Sequence, residues 1–355
     1  MMMTVALLVA GLILLILGGE WLVSGAARLA ARLGMSTLLI GLTVVAFGTS
    51  APELVVTLDA GWRGGDAANL ALGNVVGSNI FNVLFILGVC ALIAPLVVNL
   101  RIVRIEVPIM IAASAALLWF TRDGLLGRTE GALLFASLLV YVAFTLWQAP
   151  RADTTPDHTP ATGLAGALLR VLAGLVLLVV GARMLVTGAV QIAAQIGLSE
   201  TVIGLTIVAA GTSLPEVAAS VIATVRGQRD MAVGNVIGSN IFNILAVAGL
   251  AAIVAPAGLP APTALSTVDG PIMLAVAVAC LPIFFTGHRI ARWEGAIFLG
   301  YYIAYVSWLL LDAAGHDAAG AFSTTMLLFV VPLTLLTLAI SLWRAWREHG
   351  KQTAL

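Results

Sequence analysis

Eleven apolar runs, each near the roughly 20 residues that a bilayer crossing requires, leave this chain little choice of fold. They lie at 4–33, 36–62, 67–94, 104–120, 127–147, 164–195, 200–226, 230–256, 268–286, 291–311 and 322–343. A bilayer core offers no water to a bare N–H or C=O. A spanning segment must therefore satisfy its own backbone, and uniformly apolar runs of this length do so as α-helices. Of the 355 residues, 61% are hydrophobic and 10% charged, where a soluble domain carries about 25% charged residues. That balance excludes an ordinary soluble enzyme and a disordered chain. The 17 basic and 17 acidic residues cancel, and no basic run precedes the C-terminus, which excludes a nucleic-acid binder. The expected class is an all-α polytopic membrane protein. At 1.5 Å per residue the runs 4–33 and 164–195 reach roughly 45 Å, so they tilt or project. The N-terminal run lacks the basic flank of a cleaved signal peptide. Cys90 and Cys280 sit in apolar runs without metal-ligand spacing and read as packing residues.

The basic residues orient the spans. With the N-terminus outside, 13 of them fall at inside ends and loops: Arg28, Arg32, Arg101, Arg104, Arg151, Arg170, Arg226, Arg229, Arg289, Arg292, Arg344, Arg347 and Lys351. Only 3 fall outside (Arg63, Arg122 and Arg128), and Arg183 lies within a span. Positive residues favour the cytoplasmic side, so the N-terminus is expected outside and the C-terminus in the cytoplasm, in the inner (plasma) membrane. The polar connector 148–163, rich in Pro and Thr, reads as a cytoplasmic linker.

The linker divides two similar halves, 1–147 and 164–313, with 314–355 left over as an accessory span and tail. Gly41–Glu53 (GLTVVAFGTSAPE) and Gly204–Glu216 (GLTIVAAGTSLPE) match at 10 of 13 positions, at an offset of 163. Gly73–Asn82 (GNVVGSNIFN) and Gly234–Asn243 (GNVIGSNIFN) match at 9 of 10, at an offset of 161. Weaker echoes pair Pro108-Ile109-Met110 with Pro271-Ile272-Met273, and Glu130-Gly131 with Glu294-Gly295. Each copy covers five spans. Five is odd, so the second copy enters the membrane upside down. Two inverted five-helix repeats plus one extra C-terminal helix is the expected architecture, and inverted repeats of this kind build secondary transporters with a midplane site.

The repeated motifs place chemistry at that midplane. A carboxylate at a helix centre costs roughly 3 kcal/mol to insert, yet Glu53 and Glu216 both sit there. Arg183 alone cannot neutralise both, and Glu20, its counterpart at the 163 offset, competes for it. Pro52 and Pro215 lack an N–H and release a carbonyl one turn earlier. Gly48 and Gly211 let the backbone open, which turns carbonyls near Ala46, Thr49, Ala209 and Thr212 toward a cavity. Ser50 and Ser213 add hydroxyls. Ser78 and Asn82 share a helix face at i, i+4, as do Ser239 and Asn243, with Asn74 and Asn235 one turn earlier. Asn79 and Asn240 lie toward the flank and are not expected to be ligands. The glycine pairs Gly73/Gly77 and Gly234/Gly238 suit close helix packing. An all-oxygen, doubly anionic site fits a hard cation such as Ca²⁺, which takes about 6–8 oxygens. Soft metals would ask for thiolate or imidazole, and all four histidines lie in loops or termini.

At these residues the chain resembles the Ca²⁺/cation antiporter superfamily, specifically the prokaryotic sodium/calcium exchangers, whose repeats carry G-T-S-x-P-E and then G-N-x-x-G-S-N-I-F-N. The resemblance spans residues 1 to about 313 and implies a ten-span core of two five-helix halves. It implies that Glu53 and Glu216 are shared ligands of Ca²⁺ and Na⁺, and that the carbonyls of Thr49 and Thr212 bind Ca²⁺. The carbonyls of Ala46 and Ala209 and the hydroxyls of Ser50, Ser213, Ser78 and Ser239 would complete Na⁺ sites, with Asn82 and Asn243 lining the centre. Two features depart from the family. Some members carry Asp at one of the last two positions, where this chain has Asn, and the eleventh span exceeds the ten-span core.

The expected function is a non-enzymatic antiporter exchanging Na⁺ for Ca²⁺ by alternating access, with the ions as cargo, no cofactor and no protein partner. Ca²⁺/H⁺ exchange is the rival within transport, and a cation channel the rival outside it. An intramembrane enzyme is disfavoured, because no mid-span His or Asp accompanies the serines as a base.

Overall fold

A computed structural model of the chain describes residues 2–148, 163–195, 209–316 and 318–332, with 334, 335 and 339. The helices that match expected spans are α1 (Met3–Leu33), α2 and α3 (Thr37–Thr49 and Ala51–Arg63), α4 (Ala67–Ile93), α5 (Ile102–Phe120), α6 (Arg128–Trp147), α7 (Leu164–Gln195), α8 (Leu214–Val225), α9 (Arg229–Val254), α10 (Leu265–Phe285) and α11 (Arg292–Ala313). The apolar helix Ala318–Leu328, α12, begins the eleventh span, most of whose remainder lies outside the described residues.

One expected span is not a single helix. The run 36–62 bends by 43° between α2 and α3. The break is at Ser50 (φ −78°, ψ 4°), with Pro52 in the first turn of α3. Proline is at home there, because the first N–H groups of a helix have no partner inside it. The sequence anticipated an opened backbone, and the structure opens it by starting a new helix. The matching run 200–226 is described only from residue 209: a short turn, Ala209–Gly211, then α8 with Pro215 in its first turn. Residues 200–208 of that span lie outside the described residues.

Two small ribbons tie the halves together. Strand β1 (Leu96–Val97) pairs with β4 (Arg289–Ile290), and β2 (Leu125–Leu126) pairs with β3 (Leu259–Pro260), both antiparallel. By the repeat offsets β1 is the counterpart of β3 and β2 of β4, so the two ribbons are one arrangement seen from opposite ends. Each ribbon joins loops that must lie on one side of the membrane. The expected span order places an even number of crossings between the loops of each ribbon, so the pairing agrees with the inverted alternation.

Helices α4 and α9 form the centre: 72% and 89% of their apolar stretches are buried, against 6% for α11. Lipid tails give no hydrophobic drive for helices to associate, so close backbone approach between small residues does the work. Thus α2 crosses α9 where a Cβ on Gly234 would meet Leu38 O at 2.9 Å and one on Gly238 would meet Leu42 O at 2.7 Å. The matching Gly73 and Gly77 meet no described neighbour. The long α1 and α7 run together through Gly11 against Gly181 and Gly18 against Gly174, each a reciprocal contact that leaves no room for a side chain.

Candidate ion site

Glu53 and Glu216 face each other's repeat at the helix breaks. Each occupies the first turn of its helix, α3 or α8, where the exposed N–H groups and the helix dipole favour a negative charge. The breaks are near copies, for Ser213 (φ −88°, ψ 6°) mirrors Ser50. The two serines then cross over. Ser50 Oγ donates to Glu216 Oε1 at 3.1 Å, and Ser213 Oγ donates to Glu53 Oε1 at 2.9 Å. Ser213 Oγ also lies 3.3 Å from Ser78 Oγ.

A second ring supports the first. Thr49 Oγ1 donates to Asn235 Oδ1 (3.2 Å) and Thr212 Oγ1 to Asn74 Oδ1 (3.4 Å). Those amides donate onward, Asn235 to Ser220 Oγ (2.9 Å) and Asn74 to Thr57 Oγ1 (3.0 Å). Asn74 and Asn235 are therefore braces for the threonines. The Ala46 carbonyl accepts Ser50 N–H at 3.0 Å, and Ala209 opens the turn before α8. Asn82 and Asn243 start π-helical segments, Asn82–Leu87 and Asn243–Ala248, a local widening that recurs at functional sites.

Among the described residues seven buried side-chain oxygens have no hydrogen-bond partner, and five of them belong to residues that the sequence singled out: Glu53 Oε2, Glu216 Oε2, Asn82 Oδ1, Asn243 Oδ1 and Ser239 Oγ. The other two, Thr145 Oγ1 and Asp230 Oδ1, lie outside the repeated motifs. Both carboxylates are almost wholly shielded, at 1% and 0% exposure. Among the described residues neither forms an ion pair. Glu20, the expected competitor for Arg183, instead forks onto Arg226, with Nε to Oε1 at 3.1 Å, and Arg183 is exposed. Another buried acid shows the contrast. Glu106 accepts from Arg101 Nε at 2.9 Å and from Tyr141 Oη at 2.8 Å. An unpaired buried charge is costly, so two carboxylates at the junction of the repeats, beside neutral oxygens able to accept, are a set that could hold a cation.

Sequence reasoning missed two pairs. Thr57 and Ser220 hold the bracing amides, and their signal was a hydroxyl at both copies of the 163 offset. Asn79 and Asn240 were set aside as flank residues, yet both are buried and bonded across the repeats.

Comparison with known proteins identifies the family. The family model described as sodium/calcium exchanger protein matches residues 3–147 and 166–311. The sodium/calcium exchanger MaX1 of Methanosarcina acetivorans is 32% identical over 341 residues, covering 84% of this chain and 96% of that protein. The inner membrane protein YrbG of Escherichia coli is 35% identical over 320 residues, covering 87% and 97%. A solved structure of the sodium-calcium exchanger NCX_Mj superimposes with a TM-score of 0.76 at 30% identity, covering 86% of this chain and 98% of that one. With both halves matched and the fold shared, the chain belongs to the sodium/calcium exchanger family of cation antiporters, which are transporters and not enzymes.

Proposed function

We propose that this protein extrudes Ca²⁺ in exchange for Na⁺ by alternating access, with the cavity between the repeats as its ion site. The observation that carries the reading is the set of five buried oxygens without partners, drawn from both halves. Glu53 and Glu216 are the ligands shared by both ions. The side-chain carbonyls of Asn82 and Asn243 and the backbone carbonyls of Thr49 and Thr212 complete the Ca²⁺ shell. Ala46 and Ala209 carbonyls, with Ser50, Ser213, Ser78 and Ser239 hydroxyls, serve Na⁺. A proton needs only a carboxylate, whereas this many convergent neutral oxygens suit a metal ion with several ligands. The printed names of the family and of MaX1 point to Na⁺ as the counter-ion.

Charge balance explains why such a site exchanges and does not leak. The two carboxylates carry −2, which one Ca²⁺ or two Na⁺ neutralise. The bare site resists passage through a low-dielectric barrier, so only a loaded carrier turns over. The domain division at 148–163, the inner-membrane location and the N-outside, C-inside orientation rest on the repeat and on the distribution of basic residues. The E. coli relative's name supports the location.

The test is radiolabelled Ca²⁺ uptake into Na⁺-loaded vesicles, with and without an outward Na⁺ gradient. Saturable uptake that vanishes with the gradient is expected. Uptake driven by a pH gradient in Na⁺-free vesicles would assign Ca²⁺/H⁺ exchange instead, and non-saturating flux without a counter-ion would assign a channel.

A further inference from the structure

We propose that Asn79 and Asn240 are positioning residues that aim the side-chain carbonyls of Asn82 and Asn243 at the ion, each acting on the opposite repeat. A primary amide is two-faced: its oxygen can bind a cation, but its NH₂ cannot. Something must therefore decide which end meets the cavity. Asn82 Nδ2 donates to Asn240 Oδ1 at 3.0 Å, and Asn243 Nδ2 donates to Asn79 Oδ1 at 3.2 Å. That leaves Asn82 Oδ1 and Asn243 Oδ1, both buried and without hydrogen-bond partners among the described residues, as the free ends of the two amides.

The orienting amides are themselves fixed at both donors. Asn79 Nδ2 donates to the Asn240 backbone carbonyl (3.2 Å), and Asn240 Nδ2 to the Asn79 backbone carbonyl (3.3 Å). The same nitrogens contact the thioethers of Met273 (3.7 Å) and Met110 (3.5 Å). With their donors used, Asn79 and Asn240 can offer only an oxygen. This accounts for the repeated Pro-Ile-Met echo, whose methionines occupy matching places on α5 and α10. Flipping either ligand amide would set two oxygens against each other and strand an NH₂ in a cation site, and a buried, fully connected network resists that.

The inference rests on the cavity being the Ca²⁺ site, and the experiment separates the two ideas. Asn240→Leu should raise the half-saturating Ca²⁺ concentration by about tenfold or more, the usual scale for losing a residue that orients a metal ligand. Its maximal rate and amount in the membrane should change little. In an Asn82→Asp background both side-chain oxygens accept, so no orientation is needed and Asn240→Leu should add almost nothing. In an Asn243→Asp background the full penalty should remain. Asn79→Leu should show the reverse pairing. If a leucine variant fails to insert, Asn240→Gln keeps the polarity, displaces the acceptor by one methylene and carries the same test. A parent without Ca²⁺ exchange would sink the proposed function itself. A parent that exchanges, with equal penalties in both aspartate backgrounds or with only the maximal rate lowered, would overturn the orienting role alone.

Discussion

Glu53 and Glu216 each use one carboxylate oxygen in a serine bond and leave the other bare. A hydrogen bond to a charged group returns about 1.5–3 kcal/mol, and a place in a helix's first turn about 0.3–1 kcal/mol. Together these roughly offset the insertion cost of about 3 kcal/mol, so the carboxylates gain little by themselves, and on the proposed function a bound cation supplies the rest. Glu53→Gln or Glu216→Gln should therefore insert normally and melt no lower than the parent without Ca²⁺, yet carry no Ca²⁺. The parent should gain about 2.7 kcal/mol of stability at a Ca²⁺ concentration 100 times its dissociation constant, and the variants should gain none. Thermal melting with and without Ca²⁺ checks this, and a Ca²⁺-induced shift retained in either variant would remove that residue from the site. Both glutamates were legible in the sequence because an acid in mid-span needs a reason. Asn79 and Asn240 were not, because the role of an amide depends on what the facing helix presents, and spacing along one helix does not reveal it.

At the scale of elements, hydropathy located the spans but not how they end or touch. It could not see the bend at Ser50, since a proline reads alike in a kinked helix and in the first turn of a new one. Nor does composition show which glycines meet. Gly11, Gly18 and Gly25 recur every seven residues on α1, and Gly174, Gly181 and Gly188 on α7, so each set lines one face. A Cβ on Gly174 would meet Leu22 N at 2.5 Å and Gly18 O at 2.8 Å. Backbone cannot move aside as a side chain can, so Gly174→Ala must push α1 and α7 apart. It should lower the melting temperature of the purified protein and slow exchange. Gly300→Ala, at an exposed position of α11 where a Cβ meets nothing described within 4 Å, is the control. Equal melting of the two variants would show that the helix pair tolerates separation.

For the whole molecule, the distribution of basic residues sets the expected orientation and the repeat sets the expected inversion. The two ribbons, at two residues per strand, were too short to leave a sequence signal. A cysteine in the 148–163 linker should label only from the cytoplasm, and Met2→Cys and Ala319→Cys only from outside. Labelling of Met2→Cys and the linker from one side would break the inverted arrangement. The pseudo-symmetry also fails in an informative place. Glu20 on α1 forks onto Arg226 at the end of α8. By the 163 offset their counterparts are Arg183 and Arg63, two like charges, and Arg63 pairs instead with Asp59 at 2.9 Å. The Glu20–Arg226 fastening between the long helix pair and the core thus has no equivalent at the counterpart positions Arg183 and Arg63. If α1 and α7 slide past the core during exchange, the state with this contact closed is favoured. The pair is well exposed, with side chains 60% and 33% accessible, so its weight is small and screened by salt. Glu20→Gln should therefore speed labelling of a cysteine at Gln228 by only a few-fold at low ionic strength. In about 1 M salt, where the screening length falls to roughly 3 Å, parent and variant should converge. Identical labelling rates at low salt would mean that the contact sits on the surface without biasing the cycle.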